Sequence, residues 1–195
     1  MNYLAHLFLS AHDEALTVGN FLGDFISNKE VAKLPLPFRQ GIFLHRRIDS
    51  FTDQHPSVRE SVRRLHPYHG RYAPVILDVM HDFILSKNWL HYSEKSLPEF
   101  AQNIYALLER HLYLMPPVLH KRLPRMIADD WLTKYGTEEG LRFTLERLKL
   151  RSSKPWFFDN AVESMNLDYP AYEAGFNIFF PDALDFVKNL TLEDV

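Results

Sequence analysis

His45 and Asp49 stand four residues apart in GIFLHRRIDSFTDQHP, the spacing that puts two side chains on one face of a helix. An imidazole and a carboxylate so placed can share a divalent cation, or can simply bond each other. Thr52 and Asp53 continue the face, and Leu44, Ile48 and Phe51 form an apolar stripe beside it. The pair therefore sits at the margin of a core, a suitable place for metal ligands. In PVILDVMHDFILSKNWL, the residues Val75, Asp78, Asp82, Leu85 and Trp89 share one helical face, so two carboxylates interrupt a stripe that should pack inward. Buried carboxylates need a cation or strong hydrogen bonds. A divalent metal or one of the nearby arginines would serve. Asn20 and Asp24 repeat the four-residue spacing in VGNFLGDFI, surrounded by Phe21, Leu22 and Phe25. Gly19 and Gly23 there cost helix stability, but they allow a substrate or a second helix to come close. His6 stands alone among the apolar residues of MNYLAHLFLS, where a histidine is more often a hydrogen-bonded core residue than a ligand.

Together these segments place His6, Asp24, His45, Asp49, Asp78 and Asp82 on four successive helices. The chain has no cysteine, which excludes disulfides and thiolate sites. Nitrogen and oxygen ligands suit Mn²⁺, Mg²⁺ or Fe²⁺, and helical bundles build such sites from facing helices.

The elements that must position these residues are helical. Period-two alternation is almost absent, and 3.6-residue spacing is common. Expected helices are 3–11, 14–28, 36–53, 57–66, 73–91, 97–114, 117–134, 138–149, 159–166 and 169–189. Prolines punctuate them: Pro37, Pro74 and Pro98 suit first helical turns, Pro56 a stop and restart, and Pro116-Pro117 a stop. The reading is an all-α, single-domain bundle over residues 1–195, with 46% hydrophobic content sufficient for a core. The helix with Tyr169, Tyr172, Phe176, Phe179 and Phe180 reads as core packing, with a cover or an interface as alternatives. No apolar run is long enough to span a membrane. The N-terminus lacks a basic leader, which makes the cytoplasm the default. A net charge of −3 gives no general affinity for nucleic acid. Between residues 39 and 71, however, every basic residue is an arginine, a local face for an acidic partner or merely a solvated surface.

The segments MNYLAHLFLS, GNFLGDF, GIFLHRRIDSFTDQHP, LDVMHDFILSKNW and DDWLTKYGTEEGL occur in the order and spacing of a known family. Over roughly residues 1–150 the chain resembles the acyl carrier protein phosphodiesterases. The resemblance implies a fold related to the HD-domain phosphohydrolases. It implies Mn²⁺-dependent release of 4′-phosphopantetheine from holo acyl carrier protein, with apo carrier protein as the other product. It matches Asp24 to a metal-binding aspartate of the family, His45 and Asp49 to its HRRID segment, and Asp78 and Asp82 to its D-x3-D. On this reading Asp24, His45, Asp49 and Asp78 hold the metal. Asp24, Asp82 and His6 are the catalytic candidates, with Asp82 or His6 orienting the water or adding a ligand. Arg46, Arg47 and Asn20 are the phosphate-binding candidates. Acyl carrier proteins are acidic, which makes the 39–71 arginines a candidate docking surface. One departure stands out: the family reads D-H-F-L where this chain has Asp82-Phe83-Ile84-Leu85, and His81, which precedes Asp82, points about 200° away from position 83 on a helix. Two other readings stay open. One is a phosphohydrolase acting on a nucleotide or another small phosphodiester; the other is a helical binding protein without chemistry.

Overall fold

The structure, a computed structural model, describes residues 1–191; the last four residues of the expected domain lie outside them. Its elements are α1 (Tyr3–Ser10), α2 (Glu14–Leu22), α3 (Asn28–Val31), α4 (Leu36–Gln54), α5 (Pro56–His69), α6 (Ala73–Lys87), α7 (Trp89–Tyr92), α8 (Leu97–Arg110), α9 (Pro117–Ala128), α10 (Trp131–Lys134), α11 (Glu138–Lys149), α12 (Ala161–Leu167) and α13 (Tyr169–Lys188). Short 3₁₀ turns join some of them, and no strand occurs among the described residues. The expected all-α architecture is what forms.

Local chemistry sets the boundaries. Asp13 opens α2 by accepting the Leu16 N–H at 2.8 Å, Ser96 opens α8 by accepting that of Glu99, and Thr137 opens α11 by accepting that of Gly140. Pro56 forces His55 into extended backbone and so separates α4 from α5. Four expected helices are interrupted. The 14–28 helix stops at Leu22, ahead of Gly23, and α3 begins a separate turn. The 73–91 helix breaks at Asn88, and 97–114 gives way at His111 to a 3₁₀ turn. The 117–134 helix breaks at Asp129-Asp130, where Asp130 takes the left-handed conformation (φ 46°) that aspartate tolerates better than most residues. The first break matters for function, because it lifts Asp24 off the helical face shared with Asn20 and into a turn.

Two features position the candidate site. First, α2 crosses α4 at very close range through Gly19 and Gly41: a methyl group on Gly19 would lie 2.8 Å from the Gly41 Cα and collide with the Phe38 carbonyl oxygen. Helix packing therefore accounts for Gly19. Second, α1 is sunk in the core with Leu4, Ala5 and Leu7 fully buried, between the α2–α4 pair and α6, which is buried from Val79 to Leu85. Packed mainly against α5 and α4 and touching α1 and α6, α13 contributes Tyr172, Phe176, Phe179 and Phe180, all buried, with Phe176 stacked on Phe180 at 4.9 Å. Its aromatic face is core packing, as the sequence suggested. No helix among the described residues is long and apolar enough to cross a membrane.

Candidate metal centre

Three helices converge on one polar cluster. His6 comes from α1, Asn20 from α2, and His45 and Asp49 from α4, while Asp24 reaches in from the turn after α2. Asn20 is fully buried between the two imidazoles. Its amide nitrogen donates to the His6 carbonyl at 2.9 Å, which fixes its orientation. Its carbonyl oxygen then faces both Nδ1 atoms, at 3.0 Å from His6 and 3.1 Å from His45. An amide oxygen only accepts, so both Nδ1 atoms carry the proton. The consequence is at the other side of each ring. His6 Nε2 lies 3.1 Å from Asp49 Oδ1, and His45 Nε2 lies 3.2 Å from Asp49 Oδ2 and 3.5 Å from Asp24 Oδ1. Nitrogen lone pairs thus face carboxylate oxygens, and something positive must stand between them.

A proton or a divalent cation can fill that place. Donor atoms of His6, His45 and Asp49 all lie within 4.8 Å of one another, a span one ion can bridge. The rings stack at 4.2 Å, and Gly23 leaves the room His45 needs, since a Cβ there would run into the imidazole. Without a metal, burial alone would lower the His45 pKa, but its bonds to Asp24 and Asp49 outweigh burial and raise it to about 9. Burial pushes His6 below its ordinary value despite the Asp49 bond, with charged His45 adding to the effect. Burial would raise Asp49, yet the bonds to His45 and His6 hold it well below the usual carboxylate range; Asp24 is lowered for the same reason by His45. The two histidines are buried while Asp24 and Asp49 remain about half exposed, so the cluster opens to solvent on its carboxylate side. Buried imidazoles oriented by a common amide, with an open acidic mouth, fit a catalytic divalent ion.

Comparison with known proteins now bears on this cluster. The family model described as acyl carrier protein phosphodiesterase matches residues 1–183. This chain belongs to that family. Proteins named acyl carrier protein phosphodiesterase are similar to it in Enterobacter sp. (strain 638), at 32% identity over 98% of this chain and 100% of the relative, and in Serratia proteamaculans (strain 568), at 30% over the same shares. A third, from Klebsiella pneumoniae subsp. pneumoniae, is 30% identical over 98% of this chain and all of its own length. No solved structure matches significantly. The enzyme class expected from the sequence, a phosphoric diester hydrolase, is that of the family.

The structure does not bring the family's D-x3-D pair into the cluster. Asp78 Oδ1 binds the Met1 amino group at 2.7 Å. Asp82 is fully buried and accepts the Leu4 and Ala5 N–H groups at 2.8 and 3.1 Å. It thereby caps α1, whose own N-cap Asn2 makes no capping bond and instead donates its side-chain amide to the Tyr135 hydroxyl at 2.8 Å. Burial raises Asp82 to about 7 while those two N–H groups pull it down. Sequence reasoning offered a metal or an arginine as partners for this pair; the beginning of α1 supplies both instead. Asn20, expected at the phosphate, stands behind the histidines and is closed to substrate. Arg46 is exposed and donates to Asn28 at 2.6 Å, just past Asp24, whereas Arg47 lies over Phe43 and Phe186, away from the cluster. Phe83 packs edge-on to Tyr169 beneath the Lys87 ammonium, also away from the cluster. His81 is buried against Phe179. The family's departure at position 83 therefore does not touch the five residues gathered here.

Sequence reasoning missed the wall beyond Asp24. A cavity of about 310 Å³ opens beside it, lined among others by Arg122, Trp131, Lys134, Arg147 and Arg151. Phe143, Arg147 and Arg151 recur every four residues along α11 and its C-terminal extension, a visible aromatic–basic stripe.

Proposed function

We propose that this protein is a metal-dependent phosphodiesterase that hydrolyses the serine–phosphopantetheine linkage of holo acyl carrier protein, releasing 4′-phosphopantetheine and apo carrier protein. Family membership supports the class of reaction. The observation that carries the metal dependence is Asn20, whose oxygen turns the lone pairs of His6 and His45 toward Asp49 and Asp24. His6, His45 and Asp49 hold the ion, with Asp24 completing or flanking the set. Nitrogen and carboxylate donors favour Mn²⁺, with Mg²⁺ or Fe²⁺ as the alternatives. Such an ion supplies a Lewis acid for a phosphoryl oxygen and acidifies a water. Kinship with the HD-domain phosphohydrolases is what the family resemblance implies.

The chain's own groups then divide the work. Half-exposed Asp24 lies at the mouth, where it can orient the water and take its proton. The water oxygen bonds to phosphorus, the bond from phosphorus to the serine oxygen breaks, and the serine leaves as its alcohol with a proton gained. Arg46, exposed on α4 next to His45 and anchored to the turn beyond Asp24, neutralises phosphate charge. The exposed arginines of α4 and α5 offer the acidic carrier protein a docking surface, although Arg63 and Arg64 are partly occupied by Glu60 and Asp168. Docking of this kind weakens with salt, so the KM for holo carrier protein rises with ionic strength.

The deciding experiment incubates metal-stripped protein with holo acyl carrier protein, with and without Mn²⁺, and follows carrier mass by mass spectrometry. Loss of one phosphopantetheine mass only with Mn²⁺, and none in Asp24→Ala or with EDTA, is the expected result. Intact carrier together with turnover of a nucleotide phosphodiester would replace the substrate assignment. Carrier binding without turnover on any phosphodiester would make the protein a catalytically silent binder.

A further inference from the structure

The cavity beside Asp24 has a composition that hydrolysis at the metal cluster does not explain. Four cations line it: Arg122 from α9, Lys134 from α10, and Arg147 and Arg151 from α11 and its end. Asp24 is the one acid in the lining. None of the four cations takes part in an ion pair among the described residues, whereas Arg142, on the opposite side of α11, binds Glu138 and Glu163 at 2.7 Å each. Three of them are held by aromatic faces instead. Arg147 lies 4.4 Å from the Trp131 ring, Arg122 lies 5.2 Å from that of Phe25, and Lys134 lies 5.7 Å from that of Phe143. Arg122 Nη2 reaches the Tyr3 hydroxyl at 3.4 Å, but its Nε is buried without a partner. Burial, then the charges of Arg122 and Arg147, lower the Arg151 pKa, the mark of like charges gathered without a counter-ion.

A solvated basic face does not look like this. Such faces are convex, and their arginines are spread or paired. Here like charges are concentrated in a hollow and pre-aimed by stacking, which suits recognition of an anion by guanidinium groups. The aromatic rings and the polar edge of Asn2, Thr144 and Tyr135 make room for more than inorganic phosphate. The hollow is of the size that takes small organic ligands. It also shares Asp24 with the metal cluster, so one ligand can touch both.

We propose that this cavity is the subsite for an organic phosphate with an extended uncharged tail. The phosphoryl oxygens lie against Arg122, Arg147 and Arg151, and the tail packs along Trp131 and Phe143. The proposal rests on the phosphodiesterase reading for its ligand, the phosphopantetheine group, either still on the carrier or free after release. It gives the DDWLTKYGTEEGL segment a role, since Trp131, Lys134 and Tyr135 all line the hollow. It also makes the released product an inhibitor that competes with the holo carrier.

The test titrates free 4′-phosphopantetheine into metal-stripped protein by calorimetry and tryptophan fluorescence, and separately measures its inhibition of holo carrier turnover. Saturable binding is expected, with a fluorescence change that Trp131→Phe removes. Arg147→Gln and Arg151→Gln should each weaken binding about tenfold, as loss of one charge-assisted hydrogen bond would. Lys134→Gln gives a third, independent variant, and each is checked by its melting curve. Arg142→Gln removes the same charge from the same helix outside the hollow and should leave binding unchanged. Equal weakening by Arg142→Gln, or none in any of the three cavity variants, overturns the proposal. Inhibition of turnover that resists the cavity variants overturns it while leaving the phosphodiesterase reading intact. Binding that follows the predicted pattern in a protein that never cleaves holo carrier leaves the subsite standing and removes the reading.

Discussion

Helix α1 lies between two sets of carboxylates in opposite circumstances. On the α4 side, Asp24 and Asp49 are about half exposed and face imidazole nitrogens whose lone pairs are turned toward them. On the α6 side, Asp82 is sealed in the core and Asp78 lies beside it, and both face N–H donors at the start of α1. A carboxylate aimed at a donor is already satisfied, and its contribution is to the fold. A carboxylate aimed at an acceptor is satisfied only when a cation arrives, and its contribution is to binding. The two sets differ in the groups that stand opposite them, not in residue type.

The sharpest way to break this comparison is to exchange the roles. Asp49→Ala removes the one carboxylate that touches both histidines, and Mn²⁺-dependent turnover of holo carrier should fall at least about a thousandfold, the loss of several kcal/mol of charge stabilisation. A variant keeping a tenth of the wild-type rate would disqualify the cluster as the metal centre. Asn20→Ala acts one layer back. It frees both rings to take the other tautomer, so Mn²⁺ affinity measured by calorimetry should fall about 10–100-fold. Unchanged affinity would mean that packing alone orients the rings.

Much of this was legible in advance. Helical periodicity and proline placement pointed to the all-α architecture, and the four-residue spacing of His45 and Asp49 marked two members of the polar cluster. The spacing of Asp78 and Asp82 looked equally promising, because a pattern on one helix shows the face but not the group opposite it. The partners of that pair are backbone N–H groups of α1 and the Met1 amine, which carry no side-chain signature. The surroundings of Asn20 were hidden for a related reason: its oxygen faces two Nδ1 atoms on two other helices. The i,i+4 relation of Asn20 to Asp24 failed at Gly23, where the chain leaves the helix. Arg122, Arg147 and Arg151 lie about a hundred residues beyond Asp24 in the chain, and only folding places them beside it.

The α6 side has its own test. Asp82→Ala leaves the Leu4 and Ala5 N–H groups buried without an acceptor, which should cost about 1–3 kcal/mol of unfolding free energy in urea. Mn²⁺ affinity of the folded fraction should stay within about twofold of wild type, against a change of up to a hundredfold for Asn20→Ala. If Asp82→Ala keeps full stability but no longer binds the ion, the division between the two sides is wrong and the D-x3-D pair belongs to the metal.

The smallest expected effect separates the two sides by pH. Burial against Phe179 pushes His81 down to about 3, whereas the carboxylates raise His45 to about 9. A histidine with a lowered folded pKa contributes stability that is present above its unfolded value of about 6.5 and is lost as pH falls toward the folded one. A raised pKa works in the other direction: the contribution is present below about 6.5 and is lost as pH rises through 9. His81 and His6 therefore weaken the fold toward acid, opposed by Asp82, whose raised carboxyl favours the fold as pH falls below about 7, and the alkaline limb belongs to His45 and, above pH 8, also to the Met1 amine that Asp78 raises against burial. Metal-free protein should lose urea resistance as pH rises above 6.5, and toward acid the histidine loss is opposed by Asp82. His81→Leu should flatten only the acid limb, by up to about 1.4 kcal/mol for each pH unit below 6.5. Saturating Mn²⁺ should erase the His45 share of the alkaline limb, seen alone between about pH 6.5 and 8, because the ion takes the proton's place between His45 and its carboxylates. A loss between about pH 6.5 and 8 that persists with Mn²⁺ bound would mean that the proton and the ion do not compete for one position, and the cation site would have to lie elsewhere.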